Sequence, residues 1–221
     1  MISVCIPTYE MHGKGVPLLK RSFDMLAAQT FKDFEVVVTD NSENDVIQKA
    51  CDNYKNILNI NYSKNPRKGM AQNTNEAIKN AKGDLIKILY QDDFLASENS
   101  LQEIADNFKG YWLVTACGRD DTNKPHIPKY NNEISKGKNS IGSPSVLTIK
   151  NDNPLLFDEK MTWLLDCDYY KRLYDKYGEP VILNKVNVII GVGKHQTTHV
   201  LSDTIKKSEH NYMSEKYDKT G

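Results

Sequence analysis

Two adjacent carboxylates follow an apolar run near the middle of the chain. Asp92 and Asp93, preceded by Gln91, come directly after Leu85–Tyr90, which has the composition of a buried strand. Ligands of an open α/β sheet collect at the carboxyl ends of its strands. Paired carboxylates there suit a divalent cation, because a magnesium-sized ion is commonly held by one or two carboxylates plus substrate phosphates. Adjacent aspartates are also ordinary in surface turns, and that alternative stays open here.

Two more polar segments follow predicted strands. Pro7-Thr8-Tyr9 ends the first apolar segment and Asp40-Asn41-Ser42 ends the second. Because parallel strands end at a common edge, we expect these segments and the aspartate pair to share one cleft. The Asp40 carboxylate can accept the imide N–H of a nucleobase, and the Tyr9 ring can stack on it. The alternative for Asp40 is a cap on the next turn.

The first ninety residues alternate strand and helix patterns, which predicts a parallel sheet with crossover helices. The predicted strands are 2–6, 34–39, 57–62 and 85–90, and the predicted helices are 16–29, 45–54 and 70–81. Ser100 and Glu103 have the spacing of a capping box, so a further helix is expected over 100–108.

The second half has a different composition. After a predicted strand at 111–116, residues 118–142 are rich in Asn, Lys, Asp, Gly and Pro, which predicts a long loop over the site. Order is expected again at 143–149, in a helix from Trp163 or Asp166 to Tyr177, and in a strand at 186–190. Residues 203–221 are polar enough to fray.

Length and charge narrow the class of protein. The 221 residues fit one domain, and 29 basic residues against 29 acidic ones give no sign of a nucleic-acid-binding surface or a polybasic membrane anchor. The four cysteines contain no C-x-x-C pair, which argues against a zinc cage or a secreted disulfide framework. Neither a signal peptide nor an apolar run of ~18 residues is evident, so we expect a cytoplasmic protein without a transmembrane segment. Peripheral contact with a membrane is compatible with this composition. The oligomeric state is unknown from the sequence.

At residues 1–110 the chain resembles the family 2 glycosyltransferases of the GT-A fold. The matching segments are Ser3–Tyr9, Gln29-Thr30-Phe31, Phe34–Val38, Asp40-Asn41-Ser42, Asn65, Gly69, Asn73, Ala77, Ala81, Gly83 and Gln91-Asp92-Asp93. The resemblance implies an α/β fold with a Rossmann-like, open, mostly parallel sheet, helices on both faces and a C-terminal acceptor-side region. It implies a single domain, with residues 1–117 as the nucleotide-sugar-binding half and 118–221 as the acceptor-binding and catalytic-base half.

The resemblance also implies a nucleotide-diphosphate-sugar donor, a UDP-sugar being favoured. Asp40 would contact the base, Asp92 the ribose or sugar, and Asp93 a Mn²⁺ or Mg²⁺ ion. His195 is the second proposed metal ligand, with a loop histidine of no role as its alternative. The residues expected to bind the donor are Pro7, Thr8, Tyr9, Asp40, Lys68, Gly69, Asn73, Gln91 and Asp92.

Three positions depart from the family pattern. Thr39 stands where a first carboxylate is usual, Gln91 replaces the first Asp of an acidic motif, and Leu165 replaces the Glu of a Glu-Asp pair. Asp93 is therefore left as the likeliest direct metal ligand. Lys68 and the neighbouring Arg67 could meet the base or pyrophosphate, with a solvated turn as the alternative.

Asp166, the remaining member of the Glu-Asp pair, is by resemblance the general base. An aspartate with an unperturbed pKa near ~3.9 is ionised at neutral pH and can take a proton from an acceptor hydroxyl. Asp168 is the second candidate, and an ordinary acidic first turn of a helix is the structural alternative. Ser143-Pro144-Ser145 and Trp163 are expected on the acceptor side, although Trp163 fits a core position equally well.

The expected activity is inverting, metal-dependent transfer of a sugar to a hydroxyl of a glycan or lipid-linked sugar, in surface polysaccharide synthesis. The rival is a non-catalytic nucleotide-sugar-binding or scaffold protein, which the departures at Gln91 and Leu165 motivate. A nucleotidyltransferase is disfavoured, because the first strand is not followed by a glycine-rich phosphate loop.

Overall fold

The computed structural model describes residues 1–193 and 196–217. Its strands are Ile2–Thr8 (β1), Phe34–Asp40 (β2), Ile60–Lys64 (β3), Leu85–Ile88 (β4), Phe94–Leu95 (β5), Trp112–Arg119 (β6), Thr122–His126 (β7), Leu147–Lys150 (β8) and Val181–Ile190 (β9). Its α-helices are Gly15–Ala27 (α1), Val46–Asp52 (α2), Met70–Asn80 (α3), Ser100–Asn107 (α4), Leu165–Tyr177 (α5), Thr197–Val200 (α6) and Asp203–Tyr217 (α7). Short 3-10 turns occupy Met11–Gly13, Asn132–Lys136 and Pro144–Val146.

The N-terminal half forms a parallel sheet in the order β3-β2-β1-β4. β1 is the centre, pairing with β2 on one side and β4 on the other. Because crossovers between parallel strands are right-handed, α1 and α2 lie on one face and α3 on the other. The direction of winding changes between β1 and β4, and the crevice at such a switch point is the usual ligand site.

The C-terminal half extends the same sheet with antiparallel pairs. β8 runs antiparallel to both β4 and β6, while β9 runs parallel to β6. The short strand β5 pairs antiparallel with β9 at the outer edge. The expected α/β fold with a mostly parallel sheet and helices is confirmed, and both halves share one continuous sheet.

The core follows from the sequence pattern. β1, β2 and β4 are buried almost throughout, because a sheet covered on both faces buries both sets of side chains. On α1, Leu19, Phe23 and Leu26 are buried, which is the spacing of one helical face.

Several local expectations are wrong. The 118–142 segment contains β7, which forms a hairpin with β6, and a 3-10 turn. Ser100 lies inside α4 rather than capping it, and its hydroxyl donates to the Asn187 carbonyl. The Glu103 carboxylate accepts a hydrogen bond from Lys185 on β9. Residues 203–217 form a helix that buries Met213.

Candidate active site

A cleft of about 680 Å³ opens at the carboxyl ends of β1 and β4. Predicted site residues that line it are Pro7, Thr8, Tyr9, Lys68, Gly69, Asn73, Gln91, Asp92, Asp93, Trp163 and Asp166. Asn41 of the predicted segment Asp40-Asn41-Ser42 also lines the cleft, as does Ser143, and lining residues that were not predicted include Tyr90, Asn139 and Gly191. The cleft therefore brings together the aspartate pair and Asp166, which are far apart in the sequence.

Gln91 joins the ends of the two central strands. Its Oε1 accepts from the Tyr9 N–H at 2.9 Å and its Nε2 donates to the Gly15 carbonyl at 2.9 Å. A Cβ at Gly15 would lie 2.4 Å from the Tyr9 carbonyl oxygen, so only glycine allows this close approach. Gln91 thus fixes the floor of the cleft with both ends of its amide.

Asn73 performs a similar task from α3. Its Nδ2 donates to the carbonyls of Thr8 at 3.0 Å and Thr39 at 2.9 Å, which lie at the ends of β1 and β2. Its Oδ1 accepts from Asn65. The amide therefore ties the helix to the site edge of the sheet.

Asp93 is a buried carboxylate beside Asp92. Its Oδ1 accepts from the Gly191 N–H at 2.8 Å, and its Oδ2 lies 3.4 Å from the Ser143 hydroxyl. Burial and the Asp92 charge raise the pKa of Asp93 above its ordinary value. The Asp92 carbonyl accepts from the Arg21 guanidinium at 2.6 Å, so the aspartate pair is held by contacts on both residues.

The aspartate pair suits a divalent cation. Asp93 is buried and Asp92 is half-buried, and a cation between two adjacent carboxylates would reduce the repulsion between them. Within residues 1–193 and 196–217 there is no cluster of three or more His, Cys, Asp or Glu side chains that could hold a metal. The donor set therefore fits an ion that takes its remaining ligands from substrate phosphates and water. His195, the other proposed ligand, lies outside the described residues.

Asp40 is turned away from the cleft. It is fully buried, with Oδ1 accepting from the Ser42 N–H and Oδ2 from the Tyr62 hydroxyl and Lys64 Nζ. Asn41, the next residue, lines the cleft instead. The expected contact between Asp40 and the base is therefore not prepared in this structure, because the carboxylate is already occupied by protein donors.

The loop before α3 presents Lys68 and Gly69 to the cleft. Lys68 Nζ donates to the Asn41 carbonyl at 2.7 Å, so its charge lies over the end of β2. Gly69 has φ 126°, a conformation that favours glycine. Arg67 is turned toward Glu159, with which it forms an ion pair.

Asp166 lies in the first turn of α5 and faces the cleft from the opposite side. Its Oδ2 accepts from Asn139 Nδ2 at 2.7 Å and its Oδ1 from the Cys167 N–H at 2.7 Å. Burial raises the pKa of Asp166 to about 6, while both hydrogen bonds oppose the shift. A carboxylate with that pKa is ionised at neutral pH and still basic enough to accept a proton.

Asp168, the second candidate base, does not line the cleft. It is fully buried, where it pairs with Arg172 at 2.8 Å and Lys216 at 2.6 Å and accepts from the Tyr217 hydroxyl. These contacts make it a structural residue. The reason is helical geometry, because Asp166 and Asp168 are two residues apart and face different directions.

The two acceptor-side expectations have different outcomes. Trp163 lines the cleft, with its ring edge-to-face against His210. Ser145 is fully buried, and its hydroxyl accepts from the Tyr90 N–H at 2.8 Å. Ser145 therefore does not line the cleft, whereas Ser143 and Pro144 of the same segment do.

Lys87 is a buried cation that the sequence pattern did not mark as functional. Its side chain on β4 is fully buried and its Nζ donates to the Ser145 carbonyl. Burial lowers the pKa of Lys87 to about 7, and the Asp93 charge opposes that shift. A lysine inside a strand of isoleucines and leucines is the signal that could have revealed it, because an uncompensated buried ammonium is costly.

The fold and cleft together define an α/β protein with a ligand site at a topological switch point and carboxylates on two sides. The model of the family described as Glycosyl transferase family 2 matches residues 3–174, more than half of the chain. The chain belongs to glycosyl transferase family 2.

Individual proteins are similar over different extents. A GalNAc(5)-diNAcBac-PP-undecaprenol beta-1,3-glucosyltransferase of Campylobacter jejuni is 33% identical over 103 residues, which cover 43% of this chain and 31% of that protein. The match thus spans about a third of the curated relative. Among the described residues, no helix is long and apolar enough to cross a membrane.

Solved structures agree on the fold. The S. aureus TarS fragment 1–349 in complex with UDP has a TM-score of 0.69 at 19% identity, covering 96% of this chain and 69% of that chain. Its complex with UDP-GlcNAc gives 0.67 at 20% identity, covering 91% and 61%. The mannosyltransferase PcManGT from Pyrobaculum calidifontis, in complex with GDP-Man and Mn²⁺, gives 0.60 at 16% identity, covering 100% and 64%. At these identities the likeness establishes the GT-A fold alone.

Proposed function

We propose that the chain is an inverting, metal-dependent glycosyltransferase that moves a sugar from a nucleotide-diphosphate sugar to a hydroxyl of a glycan or lipid-linked sugar. The observation that carries this proposal is the placement of Asp93 and Asp166 in one cleft, with the Asp92 and Asp93 carboxylates on one side and the half-buried Asp166 carboxylate on the other. Residues 1–117 are the proposed donor half and 118–221 the acceptor half.

The donor is proposed to be a UDP-sugar. Support comes from the structures of TarS in complex with UDP and with UDP-GlcNAc. Tyr9 is exposed and lines the cleft together with Asn41, and an exposed aromatic ring suits a stacked base. Lys68 supplies a positive charge for the diphosphate.

The divalent ion is proposed to bind at Asp92 and Asp93. When bound, Mn²⁺ or Mg²⁺ would neutralise charge on the departing nucleoside diphosphate. The structure of PcManGT, which contains GDP-Man and Mn²⁺, supports the same class of cofactor.

The reaction is proposed to be one in-line displacement. Asp166 takes the proton of the acceptor hydroxyl while the hydroxyl oxygen forms the bond to the anomeric carbon. The bond between the anomeric carbon and the diphosphate oxygen breaks, and its electrons leave with the nucleoside diphosphate. One displacement inverts the configuration at that carbon. Asn139 holds the Asp166 carboxylate by its Oδ2, which keeps Oδ1 and Oδ2 in a fixed orientation toward the cleft.

The acceptor is proposed to be a lipid-linked or glycan hydroxyl in surface polysaccharide synthesis in the cytoplasm. The name of the Campylobacter relative, which specifies an undecaprenol-linked saccharide, supports a lipid-linked acceptor. The four cysteines are free and buried, which suits a reducing compartment.

A non-catalytic nucleotide-sugar-binding protein is the second candidate. It is favoured by Gln91, whose amide serves as a structural brace rather than a ligand of the donor, and by Leu165, which is buried.

Release of UDP from UDP-GlcNAc and UDP-glucose distinguishes the two candidates. The assay uses Mn²⁺ with a panel of lipid-linked and free oligosaccharides, and NMR determines the anomer formed. Asp166→Asn should lower acceptor-dependent release by on the order of 10²- to 10⁴-fold while UDP still binds. Asp175→Asn, on the exposed end of the same helix, is the matched control. UDP binding by the wild type with no acceptor-dependent release would favour the binding protein.

A further inference from the structure

Glu209 is a buried carboxylate on α7 that contacts the segment before α5. Its Oε1 accepts from the Thr162 N–H at 2.8 Å, and its Oε2 accepts from the N–H groups of Trp163 at 2.9 Å and Leu164 at 2.8 Å. The side chain is only 6% exposed. One carboxylate therefore receives three consecutive backbone N–H groups from a segment far away in the sequence.

These N–H groups lie where α5 begins. The first N–H groups of a helix lack partners within the helix, and Leu164, the residue before α5, provides no side-chain cap. A carboxylate at this end also interacts favourably with the helix dipole. Only the Leu164 N–H belongs to the end of the helix, while the Thr162 and Trp163 N–H groups precede it and Asp166 Oδ1 accepts from the Cys167 N–H. Glu209 thus holds the segment that leads into α5.

The segment that Glu209 holds is part of the cleft wall. Thr162, Trp163 and Leu164 all line the cleft, and the proposed base Asp166 follows two residues later. The backbone position of Thr162–Leu164 therefore sets the position of the Asp166 backbone, from which the carboxylate extends. It also sets the direction in which the Trp163 ring faces an acceptor.

The rest of α7 is attached to the same region by charged contacts. Lys216 Nζ lies 2.8 Å from Asp158 and 2.6 Å from Asp168. The Tyr212 hydroxyl donates to Asp158 and the Tyr217 hydroxyl to Asp168. These contacts attach α7 to residues before and after the 162–164 segment. The backbone of Glu209 is therefore held in place relative to that segment.

We propose that Glu209 is a positioning residue for sugar transfer: by binding the amides of residues 162–164 it places Asp166 and Trp163 for the acceptor hydroxyl. This role rests on the proposed function. Glu209 does not line the cleft, so it acts through the backbone that it holds rather than by touching the substrate.

The first test is hydrogen exchange of the backbone amides of residues 162–164, measured by NMR, which requires no substrate. In the wild type these amides should exchange slowly, and in Glu209→Ala at least about tenfold faster, because each loses its acceptor. Glu209→Gln keeps one acceptor oxygen of similar shape and should give intermediate exchange. Glu215→Gln, at an exposed position of the same helix, should leave the amides unchanged.

The second test separates positioning from general stability. In Glu209→Gln, acceptor-dependent kcat should fall on the order of tenfold to a hundredfold, while the KM for UDP-sugar and the Kd for UDP stay at wild-type values. Glu209→Ala should lower kcat further, in the order of the exchange rates.

The outcomes are distinct. Fast exchange of the three amides in the wild type, or unchanged kcat in Glu209→Ala, would overturn the positioning role even if transfer is observed. Slow, Glu209-dependent exchange in a wild-type protein that binds UDP but transfers no sugar would overturn the proposed function, and the positioning role of Glu209 in transfer with it.

Discussion

Asn139 donates a 2.7 Å hydrogen bond to Oδ2 of Asp166, and this contact joins the 118–142 segment to the helix that carries the proposed base. Asn139 also binds its own loop, since its Oδ1 accepts from the N–H groups of Ile141 and Gly142. These two hydrogen bonds orient the Asn139 side chain so that its amide nitrogen faces the Asp166 carboxylate.

The first prediction concerns pH. Since burial raises the pKa of Asp166 to about 6, kcat/KM should rise with pH through that value as the carboxylate ionises. The Asn139 hydrogen bond favours the ionised form, so Asn139→Ala should move the acidic limb to higher pH by about one unit, equivalent to about 1.4 kcal/mol. Asn107→Ala, at an exposed site on α4, is the control. An acidic limb at the same pH in Asn139→Ala would contradict the assignment of Asp166 as base.

The second prediction concerns Gly191, which packs on the backbone of the aspartate pair. A Cβ there would lie 2.1 Å from the Asp92 carbonyl oxygen, so Gly191→Ala must displace the segment that carries Asp93. We expect the affinity for UDP with Mn²⁺ to fall at least about tenfold. A Cβ at Gly118 would lie 2.9 Å from the end of the Ile189 side chain and 3.5 Å from a methyl of Val186, with no backbone in the way, so Gly118→Ala should bind nearly as the wild type. Equal affinities for the two variants in calorimetry would contradict a metal site at this pair.

The third prediction concerns the stability contributed by Lys87. Its pKa is about 7 in the folded chain, against an ordinary 10.5, so between these values the unfolded chain binds more protons. The contribution of Lys87 to the free energy of unfolding therefore rises with pH in this range. Relative to Lys87→Met, the wild type should gain on the order of 1 kcal/mol per pH unit above pH 7 in urea unfolding without metal.

The control for Lys87 is Lys207→Met, at an exposed position on α7, which should follow the wild type at every pH. If the unfolding free energies of wild type and Lys87→Met changed in parallel with pH, the buried lysine would have an ordinary pKa in the folded chain.

The N-terminal half could be predicted from the sequence because its signals are local. β1, β2 and β4 are short apolar runs that end in polar residues, and α1 and α3 each repeat buried residues at helical spacing. The carboxyl ends of parallel strands must meet at one edge, so strand positions alone placed Tyr9 and the aspartate pair in one cleft.

The C-terminal half could not be predicted in the same way because its contacts are polar and distant in sequence. α7 buries Glu209 and Met213, and a carboxylate that holds the segment leading into another helix is indistinguishable in sequence from a solvated one. The direction of Asp40 was missed for a similar reason, since the donors Tyr62 and Lys64 lie on a different strand.

The central claim is that a nucleotide-sugar donor binds in this cleft with a divalent ion at Asp93. Calorimetric titration of the purified protein with UDP, GDP, dTDP and CDP, each with and without Mn²⁺, tests it most directly. Asp93→Ala is the test variant, and Asp106→Asn, at an exposed position on α4, is the control. We predict Mn²⁺-dependent binding of UDP that is retained in Asp106→Asn and lost in Asp93→Ala. Absence of binding by every nucleotide at millimolar concentration with Mn²⁺, or equal binding by Asp93→Ala and the wild type, would contradict the claim.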